Sequence, residues 1–129
     1  MASGKKIVAF CCENSGFKAA EPIRSSTAMK SVEIVKVPCS GKVEVRDILK
    51  AVEQGADHVL VLTCPFDNCK YIRGNKRALK RVAMARNALK DAGLEENRIS
   101  IEFLSSVDTH KLVEILKKLE AGRDTEKRD

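Results

Sequence analysis

The sequence predicts one α/β domain built on a mostly parallel sheet, and three observations predict it. Short apolar runs alternate with segments of helical periodicity along the chain. Residues 58–63 (HVLVLT) hold four consecutive apolar residues, the pattern of a strand covered on both faces and therefore central and parallel. The 129 residues, 43% hydrophobic and 33% charged, suit a single packed core and exclude a two-domain enzyme, a disordered tail protein and a fibre.

Each element has its own warrant. Residues 6–10 (KIVAF) form a first strand ending at Cys11-Cys12. Residues 13–31, with Pro22 and a Ser/Thr run, leave room for one short helix at most. Residues 32–37 (VEIVKV) are rich in β-branched side chains and closed by Pro38, which cannot donate to a ladder. Val45, Ile48, Leu49 and Val52 recur at helical spacing, and Gly55 stands where a C-terminal cap belongs. After the third strand at 58–63, a long helix is expected over 75–92, with Asn75 as N-cap and Gly93 as stop. Ile99, Ile101 and Phe103 alternate with polar residues, as on a half-covered edge strand. The last helix starts near Asp108 and puts Leu112, Ile115, Leu116 and Leu119 on one face.

Right-handed crossovers and a flanking last strand favour a three-layer domain with the flavodoxin-like order 2-1-3-4 and helices on both faces. The chain is read as one domain over 1–129, with 1–5 and 122–129 expected to fray, and it has no internal repeat. The longest apolar run, Ile7–Cys12, falls far short of the ~20 residues of a membrane span, and the opening residues carry no secretory pattern. A cytoplasmic protein is expected.

Five cysteines, Cys11, Cys12, Cys39, Cys64 and Cys69, are the most specific compositional clue. An odd count in a chain read as intracellular argues against a disulfide framework and for metal binding or thiol chemistry. Cys11 and Cys12 end the first predicted strand, Cys39 the second and Cys64 the third, and Cys69 follows in the next loop. In a parallel sheet all carboxyl ends share one edge, where ligands bind, so these thiols are expected to converge there. Because side chains alternate along a strand, Cys11 and Cys12 should point different ways. Converging thiolates repel one another, and a soft metal or an iron–sulfur cluster removes that cost. Four of the five would suffice for a tetrahedral zinc or a 2Fe–2S cluster. The competing readings are a free buried thiol and a metal-free disulfide switch, Cys64–Cys69 or Cys12–Cys39.

The chain also carries 24 basic against 18 acidic residues, a formal net charge of +6. Lys70, Arg73, Lys76, Arg77, Lys80, Arg81, Arg86 and Lys90 stand in a stretch without one acidic residue. Lys76, Arg77, Lys80 and Arg81 recur at helical spacing and could share a solvent face or dock an acidic partner. Nucleic-acid binding fits less well, because Tyr71 is the one aromatic residue in that stretch. His58 starts a strand at the edge away from the cysteines, and His110 falls in the first turn of the last helix as a surface residue. No phosphate-binding glycine loop, no Ser–His–Asp pattern and no paired-carboxylate site is present, and Cys11-Cys12-Glu13 is a poor cradle for a flavin phosphate.

Over nearly its whole length, from Lys6 to about Leu119, the chain resembles the delta, iron–sulfur subunit of methyl-viologen-reducing hydrogenase, which is associated with heterodisulfide reductase. The residues that carry the resemblance are Ile7-Val8-Ala9-Phe10-Cys11-Cys12, then Cys39-Ser40-Gly41 and Gly55-Ala56-Asp57. The most specific is Cys64-x4-Cys69-x-Tyr71-x-x-Gly74-Asn75-x-x-Ala78-x-x-Arg81. The resemblance implies an electron-transfer subunit with one 2Fe–2S cluster, relaying electrons from a hydrogenase-type donor to a heterodisulfide-reductase-type flavoprotein subunit. It implies a component of an oxidoreductase complex rather than a catalyst by itself, and its cluster candidates are Cys11, Cys12, Cys39, Cys64 and Cys69. The chain departs from the family at Ser15, where members commonly carry a third cysteine after the Cys-Cys pair, and at Thr63 and Asp67, where they tend to have glycine.

Overall fold

The computed structural model describes residues 6–26, 29–63 and 74–128. Four strands, β1 (Ile7–Cys12), β2 (Val32–Val37), β3 (His58–Thr63) and β4 (Ile99–Phe103), pair in parallel in the order β2-β1-β3-β4. This is the predicted order. β1 and β3 are buried along their whole length, as the unbroken apolar runs require of central strands. β1 runs two residues further than its apolar core, because Cys11 pairs with Lys36 and Leu62, and Cys12 with Val37.

The helices are α1 (Gly16–Ala20), α2 (Val45–Glu53), α3 (Gly74–Asp91) and α4 (Thr109–Arg128). They cover both faces of the sheet. Ile48 and Val52 of α2, and Ala78, Val82, Ala85 and Leu89 of α3, pack on Val8, Phe10, Val59 and Val61. On the opposite face, Ala19 and Ala20 of α1 and Leu112 and Leu116 of α4 pack on Ile7, Ala9, Cys11, Leu60 and Leu62. The single helix allowed between the first two strands is α1, prolonged by a 3-10 turn at Glu21–Ile23 that places Pro22 where its missing N–H is harmless.

Local chemistry sets the ends. Gly55 (φ +108°) and Gly93 (φ +82°) take the left-handed conformation that stops α2 and α3, as the sequence indicates. The Gly93 turn closes with Leu94 N–H donating to Leu89 C=O at 2.9 Å. The Asp47 carboxylate accepts the Glu44 N–H at 2.9 Å at the start of α2. Before α4, Asp108 accepts the Ser105 N–H at 2.8 Å, which holds its carboxyl below the usual carboxylate range. α3 begins at Gly74, so Asn75 lies in its first turn and not at the N-cap expected for it. Among the described residues no helix is long and apolar enough to cross a membrane.

Candidate metal centre

Four parallel strands bring four carboxyl ends to one edge, marked by Cys12, Val37, Thr63 and Phe103. Short backbone hydrogen bonds hold this edge together. Glu13 N–H donates to Val37 C=O at 2.8 Å, and Leu104 N–H to Thr63 C=O at 2.8 Å. The loop after β1 thus starts against the end of β2. It finishes against β3, where Gly16 lies so close that an added Cβ would sit 2.7 Å from Leu62 Cβ.

The strand pleat separates the first two thiols. Cys11 shares the face of Ile7 and Ala9 and is fully buried in the cluster with α1 and α4. Its Sγ–H donates to Ala9 C=O at 3.7 Å, and burial, then the neighbouring Cys12, push the thiol up to about 12. It is held as a neutral thiol. Cys12, one residue on, alternates to the face of Val8 and Phe10, which α2 and α3 cover. Cys39 follows β2 by two residues and is 2% exposed. The 3-10 turn Ser40–Lys42 folds back over it, and Gly41 N–H donates to the Cys39 sulfur at 3.4 Å. The Cys39 sulfur thus accepts a hydrogen bond where that of Cys11 donates one. Among the described residues no disulfide joins Cys11, Cys12 and Cys39, so the Cys12–Cys39 bridge is not formed here.

Arg81 holds the Cys39 turn in place. Its guanidinium reaches from α3 to the carbonyl oxygens of Gly41 and of Val43, the latter at 3.2 Å. Arg81 therefore does not share the solvent face assigned to it from helical spacing. The signal for this role was its position beside Val82, on the border of the buried Ala78-Val82-Ala85 stripe, where a long stem can cross to a neighbouring loop. Lys76, Arg77 and Lys80 are exposed and enter no ion pair among the described residues. His58 sits at the amino end of β3 with its Nε2 2.8 Å from Ser100 Oγ, away from the thiol edge. His110 is a surface residue beside Glu114 at 3.3 Å.

Cys64 and Cys69 lie outside the described residues, as do Lys70 and Arg73; Thr63, the residue before Cys64, closes β3 at this same edge. Among the described residues no group of three or more potential ligands is assembled. The donors that are described still fit a thiolate-ligated centre. Two buried thiols stand at the carboxyl edge, one already accepting an amide N–H, and a pair of buried donors in the adjoining loop, Asn14 Nδ2 and Ser15 Oγ, has no hydrogen-bond partner among the described residues. Cys12 and Cys39 would hold such a centre from this side.

Known proteins resemble the chain over most of its length. The family model for the delta subunit of methyl-viologen-reducing hydrogenase matches residues 7–122. The vhu iron-sulfur subunit of the F420-non-reducing hydrogenase of Methanopyrus kandleri is 36% identical over 121 residues, covering 92% of each chain. Its namesake from Methanocaldococcus jannaschii is 34% identical over 117 residues, covering 89% of this chain and 87% of that one. A third relative belongs to the ferredoxin/F420H2-dependent CoB-CoM heterodisulfide reductase of Methanosarcina acetivorans and is 31% identical over 120 residues. There the match covers 88% of this chain and 15% of the longer one. With the match running from the first strand into the last helix, the chain belongs to the family of methyl-viologen-reducing hydrogenase delta subunits.

Proposed function

We propose that this chain is a cytoplasmic electron-transfer domain that holds one 2Fe–2S cluster at the carboxyl edge of its sheet through Cys12, Cys39, Cys64 and Cys69. Cys11 is the spare thiol. The observation that carries the reading is the opposed treatment of the cysteines: Cys11 is sealed in the apolar layer as a hydrogen donor, whereas Cys39 sulfur accepts an amide. When bound, such a cluster supplies a one-electron couple. The chain's own residues do the rest. Gly41 N–H and the Arg81-braced turn orient Cys39, β1 fixes Cys12, and the packed helices exclude water from both.

The same reading gives the domain its place between a hydrogenase-type donor and a heterodisulfide-reductase-type flavoprotein subunit. Support comes from relatives named hydrogenase iron-sulfur subunits and from longer heterodisulfide reductase polypeptides that contain the matching stretch. The exposed Lys76, Arg77 and Lys80, on the helix that opens five residues after Cys69, suit docking to an acidic protein surface beside the cluster.

Iron and sulfide analysis of the anaerobically reconstituted chain tests the ligand set. Wild type and Cys11→Ala should each hold about two iron and two sulfide, the composition of the cluster. Cys12→Ala and Cys39→Ala should lose most of both. Colourless wild-type protein would refute the cluster, one zinc per chain would replace it by a tetrahedral site, and iron loss in Cys11→Ala would overturn the choice of spare thiol.

A further inference from the structure

Two buried polar atoms among the described residues have no hydrogen-bond partner there, and they are neighbours in sequence: Asn14 Nδ2 and Ser15 Oγ. Ser15 is 3% exposed. It occupies the position before α1 where a serine ordinarily caps a helix, yet its hydroxyl makes no cap bond. Leaving a buried donor unmade costs about 1–3 kcal/mol, so two adjacent ones call for an acceptor at that place.

Their location indicates which acceptor. Glu13 N–H is anchored to the end of β2 at Val37, two residues before Cys39. Gly16 is pressed on Leu62 near the end of β3, two residues before Cys64. Ser15 N–H returns to Cys12 C=O at 3.1 Å. Asn14 and Ser15 therefore form the turn that leaves Cys12 at the carboxyl edge, running from the end of β2 to the face of Cys11 and Leu62.

We propose that Ser15 Oγ–H, together with Asn14 Nδ2–H, donates hydrogen bonds to the sulfurs of the iron–sulfur centre and raises its reduction potential; this rests on the cluster reading above. Donors to cluster sulfurs stabilise the more negative, reduced state. Ser15 is thus a positioning and tuning residue and not an iron ligand.

The test compares wild type, Ser15→Ala and Ser15→Thr as full chains, with and without iron–sulfide reconstitution. Iron-loaded Ser15→Ala should keep its iron and sulfide, and its midpoint potential should fall. At the wild-type midpoint its reduced-to-oxidised ratio should drop several-fold to about tenfold, and tenfold corresponds to about 59 mV for one electron. Ser15→Thr, which keeps the hydroxyl, should restore the potential. In the iron-free chain Ser15→Ala should unfold at the same or higher urea concentration, because it removes an unpaired buried hydroxyl. An unchanged potential in loaded Ser15→Ala overturns the proposal. So does earlier unfolding of the iron-free variant, which would give the hydroxyl a protein partner, and so does iron loss, which would make Ser15 a ligand. Wild-type protein without iron would instead refute the cluster itself.

Discussion

Cys11 and Cys12 are chemically identical neighbours, and the pleat of one strand gives them opposite fates. Alternation alone predicted that they diverge, but which of them meets the apolar layer depends on the register of β1 against Val37 and Leu62, and on α1 and α4 closing over the Ile7-Ala9-Cys11 row. The same close packing makes Gly16 a sensitive position. A methyl group there would lie 2.7 Å from Leu62 Cβ and 3.6 Å from Cys11 Cβ, both on buried strands with no room to yield. Gly16→Ala should therefore lower stability by about 1–3 kcal/mol, the usual range for overpacking, despite alanine's better helix propensity. Urea unfolding of the iron-free chain measures it, and a variant as stable as wild type would show that α1 can lift off the sheet without loss.

At the scale of elements, α3 carries charge against its own dipole. Its first turn holds Lys76 and no acidic residue, where the positive end of the helix favours carboxylates. Local preference is broken at the element that adjoins the cysteine segment, which is where a functional demand is expected to override it. Arg81 meets a different demand, tying the Cys39 turn to the helix through two carbonyl oxygens. Arg81→Ala should destabilise the domain by about 1.5–3 kcal/mol, the range for hydrogen bonds from a charged donor, and should reduce iron retention after reconstitution. Arg81→Lys should recover only part of this, because an ammonium lacks the planar fork. Equal stability of all three proteins by urea unfolding would remove the bracing role. The strand order, the four helices and both glycine stops were legible in the sequence, because apolar period and left-handed glycines are local signals. The Arg81 bridge spans 40 residues to Gly41, and the unpaired Ser15 hydroxyl is defined by what surrounds it. Neither leaves a local trace, although Arg81 helps carry the resemblance to the hydrogenase family and Ser15 is one of the departures from it.

For the whole molecule, placement of Cys12 and Cys39 at one edge and of cations without ion pairs among the described residues on α3 leads to a kinetic expectation. A relay domain must meet its partner quickly and leave again, which favours long-range attraction over a large apolar seal. The chain is suited to this, with a net charge of +6 and Lys76, Arg77 and Lys80 exposed without ion-pair partners among the described residues. Screening gives the measurement. Between about 0.01 and 0.15 M salt the Debye length falls from about 30 to about 8 Å, so a steered second-order rate should drop about tenfold or more. The rate is that of electron transfer from the reduced, iron-loaded chain to a heterodisulfide-reductase-type flavoprotein subunit, followed by stopped flow. Lys76→Glu, Arg77→Glu and Lys80→Glu combined should slow it at low salt and converge with wild type at high salt. The iron-free triple variant should be no less stable than wild type, because carboxylates at 76 and 77, in the first turn of α3, gain about 0.3–1 kcal/mol each where lysine and arginine lose it. A basic face kept for folding would give the reverse stability result, and one kept for nucleic acid would show its salt-dependent affinity on random oligonucleotides while the electron-transfer rate stayed flat in salt.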